Sequence, residues 1–237
     1  MIPAPEPTDA LFLDFDGTLV EIALHPSDVI VSDALLTLLT KLDDRLAGAL
    51  AIISGRPVAD LDQLLTPLKF ATAGEHGAEV RHDQNAPVLQ SASLPQQTAA
   101  AARSLSASLA GTDLEVKTVS AALHYRKVPE HGPAAIAGMQ ALAAQIPGYE
   151  LLQGKMVAEM KPSHIDKGSA VRDFMNHPPF AGRRPVYIGD DVTDEAGFVA
   201  VNELGGISMR VGGCQDSTAV YGLDNVKEAH EWLARLV

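Results

Sequence analysis

Short apolar runs alternate along this chain with longer stretches in which apolar residues recur at three- and four-residue intervals. That is the pattern of α/β units feeding a mainly parallel sheet. Ala10 to Phe15 reads as a buried strand. Ser32 to Leu46 reads as a helix capped by Ser32, with Leu35, Leu38, Leu39 and Leu42 on one face. Ala49 to Ile53 predicts a second buried strand, Pro57 to Leu65 a helix, and Phe70 to Ala73 a third short strand. The texture then changes. Gln84 to Ser93 is polar and turn-rich, and the Ala/Ser-rich run from Thr98 to Leu109 reads as a helix rather than a linker. Two strand-like runs (Leu114 to Thr118, Ala121 to Arg126), a helix from Ala134 to Gln145 and two more strand-like runs (Tyr149 to Gln153, Met156 to Met160) follow. After Pro162 the first pattern resumes, with helices over Lys167 to Met175, Val192 to Val201 and Val226 to Leu236, and strands over Pro185 to Ile188 and Gly206 to Val211. The expectation is an α/β fold: a Rossmann-like, mainly parallel core sheet over residues 1–84 and 162–237, interrupted by an inserted α+β cap domain over residues 85–161.

Composition narrows the function classes. The 237 residues carry a formal net charge of −12, which disfavours nucleic acid and anionic lipid as partners. A small anion could still bind, provided a metal or a local cluster of positive charge attracts it. With one cysteine, Cys214, neither an intrachain disulfide nor a cysteine-rich zinc site is possible. The proline-rich start does not read as a signal peptide, and no apolar run approaches a bilayer span. These features predict a soluble, cytoplasmic monomer acting on a small molecule.

Candidate chemistry lies at the strand ends. Asp14-Phe15-Asp16-Gly17-Thr18 follows an apolar strand directly, and ligands in open α/β sheets bind beyond the carboxyl ends of strands. Two acids ending a buried strand repel each other unless chemistry requires them, although Asp-Gly is also an ordinary turn. Gly189-Asp190-Asp191-Val192-Thr193-Asp194-Glu195 repeats this placement and offers the hard oxygen ligands Mg²⁺ takes, with Asp190 foremost. Some of its members would cap the following helix. Ser54-Gly55-Arg56 opens a helix and reads either as an oxyanion site or as a cap. Lys167 begins another helix, against the macrodipole, and so calls for a phosphate or a carboxylate beside it.

In this order the four motifs resemble those of the haloacid dehalogenase superfamily of phosphatases, with a cap between the serine and lysine motifs matching that superfamily's second cap type. Gly74-Glu75-His76-Gly77-Ala78-Glu79-Val80-Arg81, Lys117 with His124-Tyr125-Arg126, Glu159-Met160-Lys161-Pro162 and the Thr193-Asp194-Glu195 ending of the acidic loop further resemble trehalose-6-phosphate phosphatases. The resemblance implies hydrolysis of trehalose 6-phosphate through an aspartyl-phosphate, the last step of trehalose biosynthesis. Asp14 would be the nucleophile and Asp16 the general acid and base. Thr18, Ser54, Gly55, Arg56 and Lys167 would hold phosphate. Mg²⁺ would sit on Asp14, Asp16, Asp190 and Asp191. Glu75, His76, Lys117, His124, Arg126, Glu159 and Lys161 would bind the sugar. Read without the resemblance, His124 and Arg126 could share a solvated strand face, and Glu159 and Lys161 could be a surface ion pair. Trp232 has the spacing of a packing residue. The same chemistry on sucrose phosphate or mannosylglycerate phosphate, a silent sugar-phosphate sensor, and a phosphomutase are the alternatives.

Overall fold

The computed structural model describes every residue except Met1, Leu24, Pro26, Ser27 and Ala92. In chain order it begins with β1 (Asp9–Leu13), α1 (Asp33–Leu46), β2 (Leu50–Ile53), α2 (Val58–Leu64), β3 (Ala71–Gly74), β4 (Glu79–Arg81) and β5 (Leu89–Gln90). Then come α3 (Gln96–Ser108), β6 (Asp113–Val116), β7 (Ala121–His124), α4 (Gly132–Ala143), β8 (Tyr149–Gly154) and β9 (Val157–Pro162). The chain ends with α5 (Lys167–Met175), β10 (Arg184–Gly189), α6 (Glu195–Glu203), β11 (Ile207–Val211), β12 (Tyr221–Leu223) and α7 (Val226–Leu233). Two compact units result, Met1–Leu89 with Asp166–Val237, and Gln90–Ile165.

The first unit is built on one sheet in the order β12-β11-β10-β1-β2-β3-β4-β5. Pairing is parallel from β12 through β3 and antiparallel between β3 and β4. The apolar runs of β1, β2 and β10 are buried along their length, as strands covered on both faces must be. β1 has β2 on one side and β10 on the other, with Leu13 level with both Ile52 and Ile188. The residues just past these three strands therefore emerge together at a topological switch point.

Helix placement follows from local chemistry. Ser32 Oγ accepts the Leu35 amide and opens α1, whose Leu35, Leu39, Leu42 and Leu46 are buried. Left-handed Ala47 and Gly48 end it. α5 is started by a reciprocal box in which Asp166 Oδ1 accepts the Ser169 amide and Ser169 Oγ accepts the Asp166 amide. Phe174 of α5 packs with Phe12 of β1 and Phe180, ring centroids 5.0 to 5.9 Å apart. Burial of each such ring contributes about 1.5–3 kcal/mol, which fixes α5 beside the central strand. Trp232 is buried in α7, as its spacing predicts.

The second unit is an antiparallel sheet, β6-β7-β9-β8. Its core joins Ala121, Leu123, Ala158 and Met160 of the sheet to Ala99, Ala102, Ala135, Met139 and Ala143 of α3 and α4. The Ala/Ser-rich run is thus a helix whose small residues let it pack closely, and Gly138 of α4 lies under the Leu105 side chain.

Boundaries differ from the sequence expectation. The division falls after Leu89 and after Ile165, not after residues 84 and 161. β5 belongs to the large sheet, while β9 runs on to Pro162 and the Ser163 amide donates to the Gly148 carbonyl, keeping that segment in the small sheet. β7 stops at His124, so Arg126 lies in the exposed turn beyond it and does not share the strand face of His124. The expected helix from Val192 is a 3₁₀ turn over Val192–Asp194 followed by α6.

Candidate active site

The carboxyl ends of β1, β2 and β10 carry the large unit's chemistry. Asp14 follows Leu13, and its amide donates to the Ile188 carbonyl at 2.9 Å. Its carboxylate is divided in role. Oδ1 accepts from Lys167 Nζ at 2.7 Å, while Oδ2 is buried with no hydrogen-bond partner. Burial first, then the charge of Asp194, push the Asp14 pKa well up, with Lys167 opposing. Thr18 Oγ1 is likewise buried without a partner. Asp190 lies at the end of β10, where burial and Asp194 raise its pKa to about 6. Gly17, at φ +85°, occupies a position where a Cβ would collide with the Asp190 carboxylate, so glycine permits both the turn and the close approach.

Lys167, the first residue of α5, sits between two carboxylates, with Nζ 2.7 Å from Asp14 Oδ1 and 2.6 Å from Asp194 Oδ1. Burial works against its charge, but the two acids outweigh it and raise its pKa above the ordinary lysine value. The anionic partner its position requires is thus supplied by the protein. Asp194 is fully buried and its oxygens are saturated. Oδ1 accepts from Lys167 and from Tyr187 Oη at 2.7 Å, and Oδ2 accepts the Asp190 and Asp191 amides at 3.1 and 3.0 Å. Asp194 therefore positions the acidic loop and has no lone pair directed elsewhere. Tyr187, missed in the sequence because its run reads as plain apolar strand, is the group that joins β10 to this anchor. A buried phenol needs a hydrogen-bond partner, and that is the one signal that could have found it.

The remaining motif residues depart from expectation in informative ways. Asp16 is not part of the Asp14–Asp190–Asp194 cluster. Both its oxygens accept from Arg56, at 2.6 Å from Nε and 2.7 Å from Nη2, so these two side chains form a bidentate pair with one another. Asp191 is exposed. Ser54 is no helix cap. Its Oγ accepts the Arg56 amide, and α2 starts only at Val58, whose amide donates to Glu79 Oε2 at 2.7 Å. The turn Gly74–Gly77 closes over this loop, with the Glu75 amide donating to the Arg56 carbonyl and the His76 amide to that of Ser54. Glu75 and His76 are both left-handed, at φ 46° and 60°, a conformation that is strained for side-chain-bearing residues and is often kept at functional turns. The His76 ring lies directly against Gly55, where a Cβ would fall 2.7 Å from its Cε1.

The set tests well against a divalent cation. Three carboxylates, Asp190 the partly exposed one, gather near one ammonium, one carboxylate oxygen is orphaned there, and the donors are all oxygen, the set Mg²⁺ prefers. Asp14 and Asp190 are the groups that could hold it.

In the small unit, the sheet face opposite the helices carries the expected sugar-binding charges. Glu159 and Ala122 are level on neighbouring strands, as are Val157 and His124. Glu159 Oε1 accepts from Ser120 Oγ at 2.7 Å and from Lys117 Nζ at 3.2 Å. Lys161 Nζ donates to the Ile165 carbonyl at 2.8 Å and pairs with Glu150 at 3.0 Å. Glu159 and Lys161 are buried and are not partners of one another, so the surface-pair reading is corrected. His124 pairs with Glu115 at 3.4 Å. No helix among the described residues is long and apolar enough to cross a membrane.

Comparison with known proteins agrees with this arrangement. The trehalose-phosphatase family profile matches residues 12–227. The trehalose-6-phosphate phosphatase of Escherichia coli (strain K12) is 43% identical over 231 residues, spanning 94% of this chain and 85% of that one. A probable trehalose-phosphate phosphatase of Sinorhizobium fredii is 44% identical over 206 residues, spanning 86% and 77%. In fold, the C-terminal domain of C. albicans trehalose-6-phosphate phosphatase superposes with a TM-score of 0.81 at 24% identity, over 100% of this chain and 98% of that one. The chain belongs to the trehalose-phosphatase family.

Proposed function

We propose that the protein hydrolyses trehalose 6-phosphate to trehalose and inorganic phosphate through an aspartyl-phosphate on Asp14. The observation that carries the mechanism is the split carboxylate of Asp14. One oxygen is fixed by Lys167 and the other is buried and uncommitted at the switch point of the sheet. An oxygen held in place by its partner atom, rather than by its own hydrogen bonds, keeps its lone pairs for phosphorus.

In the first half-reaction Asp14 Oδ2 forms a bond to phosphorus as the bond to the sugar oxygen breaks, and that oxygen takes a proton from Asp16. In the second, water attacks phosphorus, Asp16 accepts its proton, and the Asp14 carboxylate is released. Each Asp16 oxygen accepts one bond from Arg56 and keeps a second lone pair, on which the proton would be carried. Lys167 and the hydroxyls of Thr18 and Ser54 would take up charge on the phosphoryl oxygens. Mg²⁺, held by Asp14 and Asp190, would neutralise phosphoryl charge. Sugar selection would fall to Lys117, His124, Arg126, Glu159 and Lys161 of the small unit. The identities of the bacterial relatives support the substrate. The balance of charge and the single cysteine fit a cytoplasmic enzyme working on a diffusible ester.

Phosphate release across a panel of sugar phosphates, with and without Mg²⁺, tests this reading. Preference for sucrose phosphate or glucose 6-phosphate would remove the trehalose assignment and leave the phosphatase chemistry. Release limited to a single equivalent would remove hydrolysis itself.

A further inference from the structure

We propose that His82, Asp173 and His177 form a second metal site, for a first-row transition ion such as Zn²⁺, distinct from the acidic cluster at Asp14. One ring nitrogen of each histidine and one carboxylate oxygen of Asp173 lie within 4.8 Å of one another. His82 Nε2 is 2.7 Å from Asp173 Oδ2, and His177 Nδ1 is 3.8 Å from Asp173 Oδ1. Ligand atoms bound to one Zn²⁺ at ~2.0–2.2 Å stand about 3.3 Å apart, so side-chain shifts on the order of 1 Å would bring one nitrogen of each histidine and one Asp173 oxygen into a coordination triangle.

The donor chemistry differs from that at Asp14. Two imidazoles and one carboxylate suit zinc, copper or nickel, whereas an all-oxygen set suits magnesium. The scaffold is also set for it. Asp173 lies in the last turn of α5 and His177 just beyond its end, where the turn brings the imidazole back to Asp173. His177 Nδ1 donates to the Asp173 carbonyl at 2.8 Å, which leaves Nε2 with its lone pair. His82 follows β4, and its ring meets the buried ring of Phe174 edge-on at 5.6 Å, which fixes its orientation. The two imidazoles lie with centroids 4.2 Å apart, a close approach that bound metal would stabilise and that two imidazolium charges would oppose. All three residues are partly exposed, which gives an ion a route in.

The site joins segments from the two parts of the discontinuous large unit. His82 lies shortly before the chain enters the inserted unit, Asp173 lies on the helix that follows it, and His177 lies just past that helix's end. That same helix presents Lys167 to Asp14 at its other end. Metal bound here would clamp the helix in place without touching the phosphate chemistry, a structural role with three protein ligands and room for water.

The test is calorimetric titration of the full chain with ZnCl2 in saturating Mg²⁺, together with the visible absorption of Co²⁺ as a stand-in. Wild type and Asp190→Asn are each expected to bind one equivalent of Zn²⁺, because the acidic cluster is not the acceptor. Losing a group that only orients a metal ligand weakens binding ~10–100-fold, so His82→Gln and His177→Gln should each weaken it at least ~10-fold. At a 100-fold excess over Kd, Zn²⁺ should raise the wild-type Tm by roughly 5–10 °C. His82→Gln and His177→Gln should keep wild-type phosphate release in Mg²⁺, which also shows that they fold. Should either misfold, Asp173→Asn, which preserves shape, carries the same test. Zn²⁺ binding unchanged in the histidine variants, lost in Asp190→Asn, or absent from wild type would overturn the proposal.

Discussion

Asp190 and Asp194 stand four residues apart in one acidic loop, and the structure assigns them opposite effects on stability. Four donors converge on the Asp194 carboxylate: Lys167 Nζ, Tyr187 Oη and the amides of Asp190 and Asp191. Asp194→Asn preserves the shape but replaces one acceptor oxygen with an NH₂ group. Either orientation of the amide turns that NH₂ toward two of the four donors. Two hydrogen bonds are lost, and the two donors left unsatisfied are either the buried Lys167 and Tyr187 groups or the part-buried Asp190 and Asp191 amides, each costing about 1–3 kcal/mol where water cannot reach. Removing one member of a buried pair costs ~3–5 kcal/mol by a separate route. A loss of about 3–5 kcal/mol in a chain of this size lowers Tm by roughly 6–20 °C. Asp190→Asn removes a carboxylate that burial and Asp194 already disfavour as an anion, so the metal-free fold should hold its Tm or gain slightly. The measurement is thermal unfolding followed by circular dichroism at pH 8 in excess chelator. If Asp194→Asn melted within about 2 °C of wild type, the four-donor anchor would be refuted. A loss in Asp190→Asn as large as in Asp194→Asn would refute the contrast between them.

Asp14→Asn is expected to lower turnover by roughly 10³-fold or more, and near-normal phosphate release would exclude a covalent step on Asp14. Glu159→Ala should depress kcat/KM for trehalose 6-phosphate by about 10- to 150-fold, the worth of a hydrogen bond to a charged group, and leave p-nitrophenyl phosphate nearly unchanged. Equal losses would mean that the Glu159 bonds to Lys117 and Ser120 only hold the sheet together. Asp14 and Asp190 both have raised pKa values, through burial first and the charge of Asp194 next, so the folded state binds more protons than the unfolded one above pH ~4. Their contribution to metal-free stability therefore falls as pH rises through about 6 and beyond. The increase in Tm on adding Mg²⁺ should be larger at pH 8 than at pH 5, and a larger increase at pH 5 would contradict the assignment of the ion to these acids.

The parts of the fold legible in the sequence were those whose side chains state their environment. β1, β2 and β10 are continuous apolar runs because both faces are covered, and Ser32 with its leucines marks α1. β4, β5 and β12 were not foreseen. They are two or three residues long, and β4 buries Glu79 and Arg81, whose charges are met by the Val58 amide and by Asp62. Of the site, Asp14, Lys167 and Asp190 were readable because acids and a lysine at strand and helix ends need a reason to be there. The Arg56–Asp16 pair was not readable, since it joins residues 40 positions apart on different strands' ends. Nor was the convergence of four donors on Asp194, which depends on where the Tyr187 hydroxyl reaches.

The central position of β1 also sets a schedule for the protein's synthesis. Its first neighbour, β2, leaves the ribosome soon afterwards, but its other neighbour, β10, does not begin until Arg184. At ~5–20 residues per second, the strand that carries Asp14 waits roughly 10–35 s with one apolar edge unpaired. During that interval the nascent chain holds Asp14, Asp16 and Ser54 but neither Asp190 nor the Asp194 that steadies Lys167. Phosphatase activity should therefore switch on only near the end of translation, and a chain released before Arg184 should present its open β1 edge to chaperones or to aggregation. A fragment of residues 1–183 recovered as a soluble, cooperatively folding protein would show that β1 does not need its late partner.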